Sequence, residues 1–262
     1  MLGPMDDEAP PPEPQSTEDW ARLIKTNWEK RARSSSRDFY VASHPGWQRS
    51  EVWARQAESD VSMILTGLAD PWLEGTDLLE VGCGVGRLAR PFLARVRSYT
   101  GVDVAPGMVE EARSRLADEP RARFFVSDGL GVPDAAKDHD YDLIVALAVF
   151  IHCPRDLVER LVADGYARLR PGGRFRFQLL ADPTDPTGVE AAPPAAVDER
   201  HQEIVEMEEA ATEDDRALID DHYYMGHAFG YDEARARLGR IGGELTLRRF
   251  DLAHIYGELL RV

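Results

Sequence analysis

The sequence predicts an α/β protein built on a seven-stranded sheet, mostly parallel with an antiparallel C-terminal strand, with helices on both faces and a helical cap at the N-terminus. Three observations carry that reading. From residue 77 to residue 180, short apolar runs alternate with amphipathic stretches, the pattern of a parallel sheet covered by helices. The first apolar run ends in Leu78-Leu-Glu-Val-Gly-Cys-Gly-Val-Gly-Arg87, a boundary between strand and helix that is dense in glycine. Beyond residue 244 the chain reads as two strands, 244–251 and 254–262, whose link is too short to cross a sheet face, so that pair must run antiparallel.

Each element can be justified in order. Residues 1–18, rich in Pro, Asp and Glu, are expected to form a disordered tail. Residues 19–72 form the predicted helical cap. Trp20, Leu23, Ile24 and Trp28 share one helical face; a Ser-Ser-Ser-Arg-Asp break follows at 34–38, and a second helix starts near Ser50 with Trp53, Ala57, Val61, Ile64, Leu65 and Leu68 on its apolar side. Four of the five tryptophans lie before residue 60, enough aromatic surface to pack the cap on the main domain and to turn Tyr40 or Trp47 toward a ligand. The main domain spans 73–262. Its first strand is 77–82, with a helix over about 86–96; the second strand is 98–103, with a helix opened by Pro106. The third strand is 123–126, the fourth 142–146 with a helix over about 154–168, and the fifth 174–180 after the turn Arg170-Pro-Gly-Gly173. A helical insertion at about 183–227 follows, its acidic part over 197–221, too long for an ordinary loop. A helix from Tyr231 to about Leu238 precedes the final strand pair.

Bulk properties exclude several functions. The chain has 262 residues, 43% hydrophobic and 30% charged, the composition of a soluble globular protein, and no apolar run approaches a membrane span. The acidic, proline-rich N-terminus lacks the features of a secretory signal, and two cysteines, Cys83 and Cys153, offer no paired spacing, so a reducing cytoplasm is expected. Asp plus Glu number 47 against 31 Lys plus Arg, a net charge of −16 that repels phosphate backbones and argues against nucleic acid as partner.

The glycine turn carries the chemistry. Gly82, Gly84 and Gly86 permit a tight turn and a close approach of backbone to ligand, and Asp103, about 20 residues on at the end of the second strand, is placed to accept both hydroxyls of a ribose. A nicotinamide dinucleotide is one candidate ligand. Against it stand the Gly-x-Gly-x-Gly spacing, the final antiparallel pair where a second mononucleotide half would be expected, and Glu80, whose negative charge is wrong for a pyrophosphate at a helix N-terminus. A nucleoside with positive charge and no phosphate suits Glu80, and S-adenosylmethionine (SAM) is such a molecule.

At this point the chain resembles the class I SAM-dependent methyltransferases of the small-molecule type, with their Rossmann-like sheet. The resemblance rests on Leu79-Glu-Val-Gly-Cys-Gly-Val-Gly-Arg87, Gly101-Val-Asp-Val-Ala-Pro-Gly-Met108, Ser127-Asp-Gly-Leu130, Tyr141-Asp-Leu-Ile-Val145, Val149-Phe-Ile-His152 and Leu169-Arg-Pro-Gly-Gly173. It implies that Gly82, Gly84 and Gly86 line the methionine end of SAM and that Asp103 holds the ribose. Val104 and Met108 would pack on adenine, Asp128 would accept from its amino group, and Gly129, beside Leu130, would offer an amide to a ring nitrogen. Ala146 and Leu147 would border the methionine part. Ala105 stands where the family often has a helix-capping serine.

On the acceptor side, His152 follows the fourth strand at the carboxyl edge of the sheet, where a neutral imidazole can take a proton from a nucleophile or orient it. His222, Tyr223, Tyr224 and His227 form a second cluster, with His222 and Tyr224 as candidate base and pocket wall. The neighbouring acids Asp214, Asp215, Asp220 and Asp221 read as a solvated helix, so no metal is expected. The functional expectation is methyl transfer from SAM to a small-molecule acceptor, with oxygen favoured as the receiving atom and secondary metabolism as the setting. The alternatives are a SAM-binding or partner-docking protein without catalysis, and an NAD(P)-dependent reductase.

Overall fold

The computed structural model describes residues 14–41, 47–190 and 227–262. Seven strands form one sheet in the order β3-β2-β1-β4-β5-β7-β6. They are β1 (Asp77–Val81), β2 (Ser98–Asp103), β3 (Ala122–Val126), β4 (Tyr141–Ala146), β5 (Leu169–Leu180), β6 (Glu244–Arg248) and β7 (His254–Leu260). β1 through β5 pair in parallel, and β7 slots antiparallel between β5 and β6. The antiparallel strand is where the sequence placed it. β5 begins earlier than expected: the turn Arg170-Pro-Gly-Gly173 is carried within the strand, and the β4–β5 register shifts between Tyr141 and Leu143 to absorb it.

Alternation along the central strands decides which helices cover which face. Leu79, Ile144 and Phe175 point to one side, where they meet Leu157, Val158 and Val162 of α7 (Arg155–Ala167) and Ala234 and Leu238 of α8 (Tyr231–Leu238). Leu78, Leu143 and Val145 point to the other, against Ala57, Val61 and Leu65 of α3 (Ser50–Leu65), Phe92 of α5 (Ala89–Leu93) and Ala112 of α6 (Pro106–Arg115). α4 (Asp70–Glu74) leads into β1. α5 is shorter than the expected 86–96 helix, because the backbone from Gly82 to Leu88 is spent on turns.

The N-terminal segment begins its first helix, α1 (Thr17–Ala32), at Ser16, whose hydroxyl accepts from the Asp19 amide as a helix cap. α1 and the short α2 (Arg37–Val41) lie across the carboxyl ends of the strands. Their docking is polar at the rim: Arg115 of α6 grips Asp38 with both carboxylate oxygens at 2.7 and 2.8 Å, Arg37 pairs with Glu111, and Arg160 pairs with Glu18.

At the far end of β5, the chain leaves the sheet through Ala181, which bridges to Phe229, while Asp185 accepts the Tyr231 amide at the start of α8. Arg249 fastens this region. Its side chain is fully buried and donates to the carbonyls of Asp182, Asp185, Thr187, Asp251 and Leu252. A buried guanidinium with carbonyls in place of a carboxylate keeps its donors satisfied and ties the 182–187 segment to the 249–252 turn.

Candidate functional site

The strand order reverses between β1 and β4, and the crevice beyond the carboxyl ends of those strands is where open α/β sheets take ligands. The glycine turn rises from β1 at this point. Gly82, Gly84 and Gly86 all have positive φ, at 74°, 51° and 74°. A Cβ on Gly82 would stand 2.3 Å from Val149 Cγ2, so this residue type is required twice over, by conformation and by space. The Gly82 and Cys83 amides both donate to the Val102 carbonyl, which ties the turn to β2.

Asp103, at the end of β2, organises the turn. Its Oδ2 accepts the Gly84 amide and its Oδ1 the Ala105 amide, each at 2.9 Å. A carboxylate offers about four lone-pair positions, so both oxygens keep acceptor capacity for two ribose hydroxyls. Burial raises the Asp103 carboxyl above its ordinary value, against the pull of those amides.

Glu80 lies directly beneath the turn, 4% exposed, with the Tyr99 hydroxyl donating to it. Burial pushes its carboxyl up to about 7; Arg87 opposes the shift, while Asp103 and Asp60 add to it. Arg87 is itself spoken for, paired with Asp60 at 2.7 Å and lying over the Trp53 ring. The site thus holds two buried carboxyls that burial biases toward their neutral forms, and a cationic ligand would favour their ionisation.

The cap enters the same site. Glu29 of α1 accepts the Gly107 amide at 2.9 Å, and this contact holds its carboxyl below the usual value. Ala105 makes no side-chain cap for α6, and Glu29, 78 residues earlier in the chain, supplies that acceptor instead. Ala32, Val85, Ala105 and Met108 form a small buried cluster with Trp28, Val41 and Trp53 packed on it. Val41 borders Gly84, and Ala21 borders Gly129 together with Val104. Met108 is therefore buried beneath the loops among these residues.

Around the third strand the local geometry is self-satisfied. Asp128 is exposed and accepts the Leu130 amide, while Gly129 is buried and its amide donates to Ser127 Oγ. Ala146 is buried at the end of β4, and Leu147 is half-buried beside it. Ala148 then adopts a φ of 55°, unusual for a residue with a side chain, and its amide donates to Gln178 Oε1 at 3.0 Å. The kinked turn delivers His152, whose ring meets the Trp28 ring edge-on with centroids 5.3 Å apart. His227 meets Trp20 in the same way at 5.4 Å. His222, Tyr223 and Tyr224 lie outside the described residues, as does most of the insertion. Sequence reasoning placed Trp28 on the apolar face of the cap without its contact to His152, and missed Glu29, Ala148 and Gln178. No local pattern marks any of them, because each acts through a distant partner.

Among the described residues no cluster of His, Cys, Asp and Glu has the form of a metal site, and no helix is long and apolar enough to cross a membrane.

A sheet of this order, with a glycine turn after β1 and an acid closing β2, defines the class I methyltransferase fold. Residues 78–173 match the family model described as a methyltransferase domain. A malonyl-[acyl-carrier protein] O-methyltransferase of Serratia marcescens is 33% identical over 130 residues, covering 49% of this chain and 47% of that protein. Methyltransferase GfsG of Streptomyces halstedii is 40% identical over 107 residues, covering 38% of this chain and 36% of its own length. The chain thus spans about half the length, or less, of the curated relatives it matches. Among solved structures, the magnesium protoporphyrin IX methyltransferase ChlM of Synechocystis with bound SAH (S-adenosylhomocysteine) aligns over 94% of this chain and 98% of its own, at a TM-score of 0.53 and 17% identity. A DhpI–SAM–HEP complex aligns over 94% and 99%, at 0.57 and 16%. At such identities the likeness is one of fold.

Proposed function

We propose that this chain is an enzyme that transfers a methyl group from SAM to a small-molecule acceptor, with oxygen as the receiving atom. The observation that carries the reading is the Asp103 carboxylate joined to the Gly84 and Ala105 amides, above a buried Glu80. Those residues fit a nucleoside that is positively charged and lacks phosphate, and they oppose a pyrophosphate. SAM supplies an activated methyl group on a sulfonium. Gly82, Gly84 and Gly86 would border its methionine end and Asp103 its ribose, with Val104, Met108, Asp128, Gly129 and Leu130 on the adenine side and Ala146 and Leu147 near the methionine. The protein's own work is alignment and the exclusion of water, and the cap residues Val41 and Ala21, seated on Gly84 and Gly129, suit that task. His152 stands on the acceptor side, where it orients the nucleophile. The names of the malonyl-[acyl-carrier protein] O-methyltransferases favour oxygen as the acceptor atom.

Titration calorimetry tests the reading. S-adenosylhomocysteine should bind and NAD⁺ and NADP⁺ should not. Binding of a nicotinamide dinucleotide in place of S-adenosylhomocysteine would overturn it in favour of a reductase. Incubation with labelled SAM and candidate acceptors, read by mass spectrometry, separates an enzyme from a binding protein.

A further inference from the structure

Arg31 sits in the last turn of α1 with its guanidinium over two aromatic rings, 5.2 Å from the centroid of Trp28 and 5.5 Å from that of Tyr40. Its neighbours behave differently: Arg22 of the same helix is tied to Asp19, and Arg33, just past the helix end, to Glu29. Among the described residues the partners of Arg31 are the two rings and no carboxylate. It is half-buried, and it lies on the ligand side of the helix, since the Trp28 ring that it covers also meets His152 and packs on the cluster beneath the glycine turn. A guanidinium lying on aromatic faces keeps its plane fixed and its N–H donors pointing outward from the ring edges, a fork already shaped for a carboxylate. In a chain of net charge −16, an anion reaching this crevice needs such a local cation.

From this geometry we infer that Arg31 is the acceptor-recognition residue and that the acceptor presents a carboxylate, which becomes a methyl ester. The inference rests on the methyltransferase reading above. In the step, one carboxylate oxygen forms a bond to the methyl carbon as the carbon–sulfur bond breaks and its electron pair stays on sulfur. The acceptor anion and the sulfonium cation both become neutral, and no proton moves. Arg31 holds the second oxygen, which keeps the first one aimed. The absence of a proton transfer assigns His152 to orientation.

The test uses the full chain loaded with S-adenosylhomocysteine, and measures binding of three carboxylates: malonyl-N-acetylcysteamine, succinyl-N-acetylcysteamine and benzoate. Acetoacetyl-N-acetylcysteamine is the neutral control. At least one carboxylate should bind, more weakly as salt is raised. Arg31→Met should weaken that binding about ten- to hundredfold, and Arg31→Lys should recover part of it. S-adenosylhomocysteine affinity and the response to the neutral control should be the same in all three proteins. With labelled SAM, the product should be an alkali-labile methyl ester. Carboxylate binding unchanged in Arg31→Met, or no binding by any of the three carboxylates, would overturn the assignment. Loss of S-adenosylhomocysteine binding by the unmutated chain would instead strike the methyltransferase reading itself, so the two failures are distinguishable.

Discussion

Replacing Glu80 with glutamine isolates the charge buried under the glycine turn. Glu80 is 4% exposed and accepts from Tyr99, and burial lifts its carboxyl from 4.5 to about 7. Between those two values the folded protein holds a proton that the unfolded chain has released. Stability from this group is therefore full below about pH 4.5 and is lost as pH rises through 7. Integrated from pH 5 to pH 8, the loss amounts to roughly 2–3 kcal/mol. Glutamine keeps the shape and an acceptor for the Tyr99 hydroxyl but has no proton to lose. Urea unfolding of the ligand-free proteins at pH 5, 6, 7 and 8 should show the Glu80→Gln variant gaining on the parent as pH rises, by roughly 2–3 kcal/mol at the alkaline end. Asp103 titrates upward in both proteins. A cationic ligand reverses the balance, since it stabilises ionised Glu80. The parent should bind SAM more tightly at pH 8 than at pH 6, and the variant should show a flatter response. A stability difference that stays constant across the pH range would refute the account of Glu80 as a buried carboxyl held protonated.

Four further outcomes are expected. Asp103→Ala leaves the Gly84 and Ala105 amides without their acceptor and should weaken S-adenosylhomocysteine binding at least about tenfold by calorimetry. His152→Ala should lower kcat severalfold while the affinity for S-adenosylhomocysteine holds; with a carboxylate acceptor, the pH–rate profile should keep its shape, because no base is lost. Arg249→Met takes the donor away from five part-buried carbonyls and should cost about 3–5 kcal/mol in unfolding free energy. Glu29→Ala should cost about 1 kcal/mol of stability and loosen cofactor binding, and adding Ala105→Ser should restore both, since a serine at that position caps α6 locally.

Much of this architecture was legible in the sequence because it is written in local signals. The strands from 77 to 180 follow from apolar runs and their spacing, and the glycine turn with Asp103 follows from short-range chemistry at fixed separations. The antiparallel β7 followed from the brevity of its link to β6. Boundaries failed where turns compete with helix: the residues after Gly86 have helical composition, yet α5 starts only at Ala89. Long-range contacts were invisible. Nothing near Glu29 announces that it caps a helix 78 residues on, and nothing near Arg31 shows that Tyr40 will close over it. The left-handed turn at Ala148 was hidden for another reason: a surrounding hydrogen bond to Gln178 enforces it against the preference of the residue itself. Asp128 and Gly129 were readable as a turn, but the sequence did not reveal that Ser127 and Leu130 would use their polar groups.

The acceptor that Glu29 supplies to the Gly107 amide has an evolutionary corollary. A helix capped by its own residue tolerates drift in whatever packs against it; a helix capped from another segment does not. Position 105 and position 29 should therefore change together as this lineage diverges. Lineages with serine, threonine or aspartate at 105 are released from keeping an acid at 29, and their N-terminal segments are free to shorten, swap or realign for new acceptors. Lineages that keep alanine at 105 are bound to keep the acid.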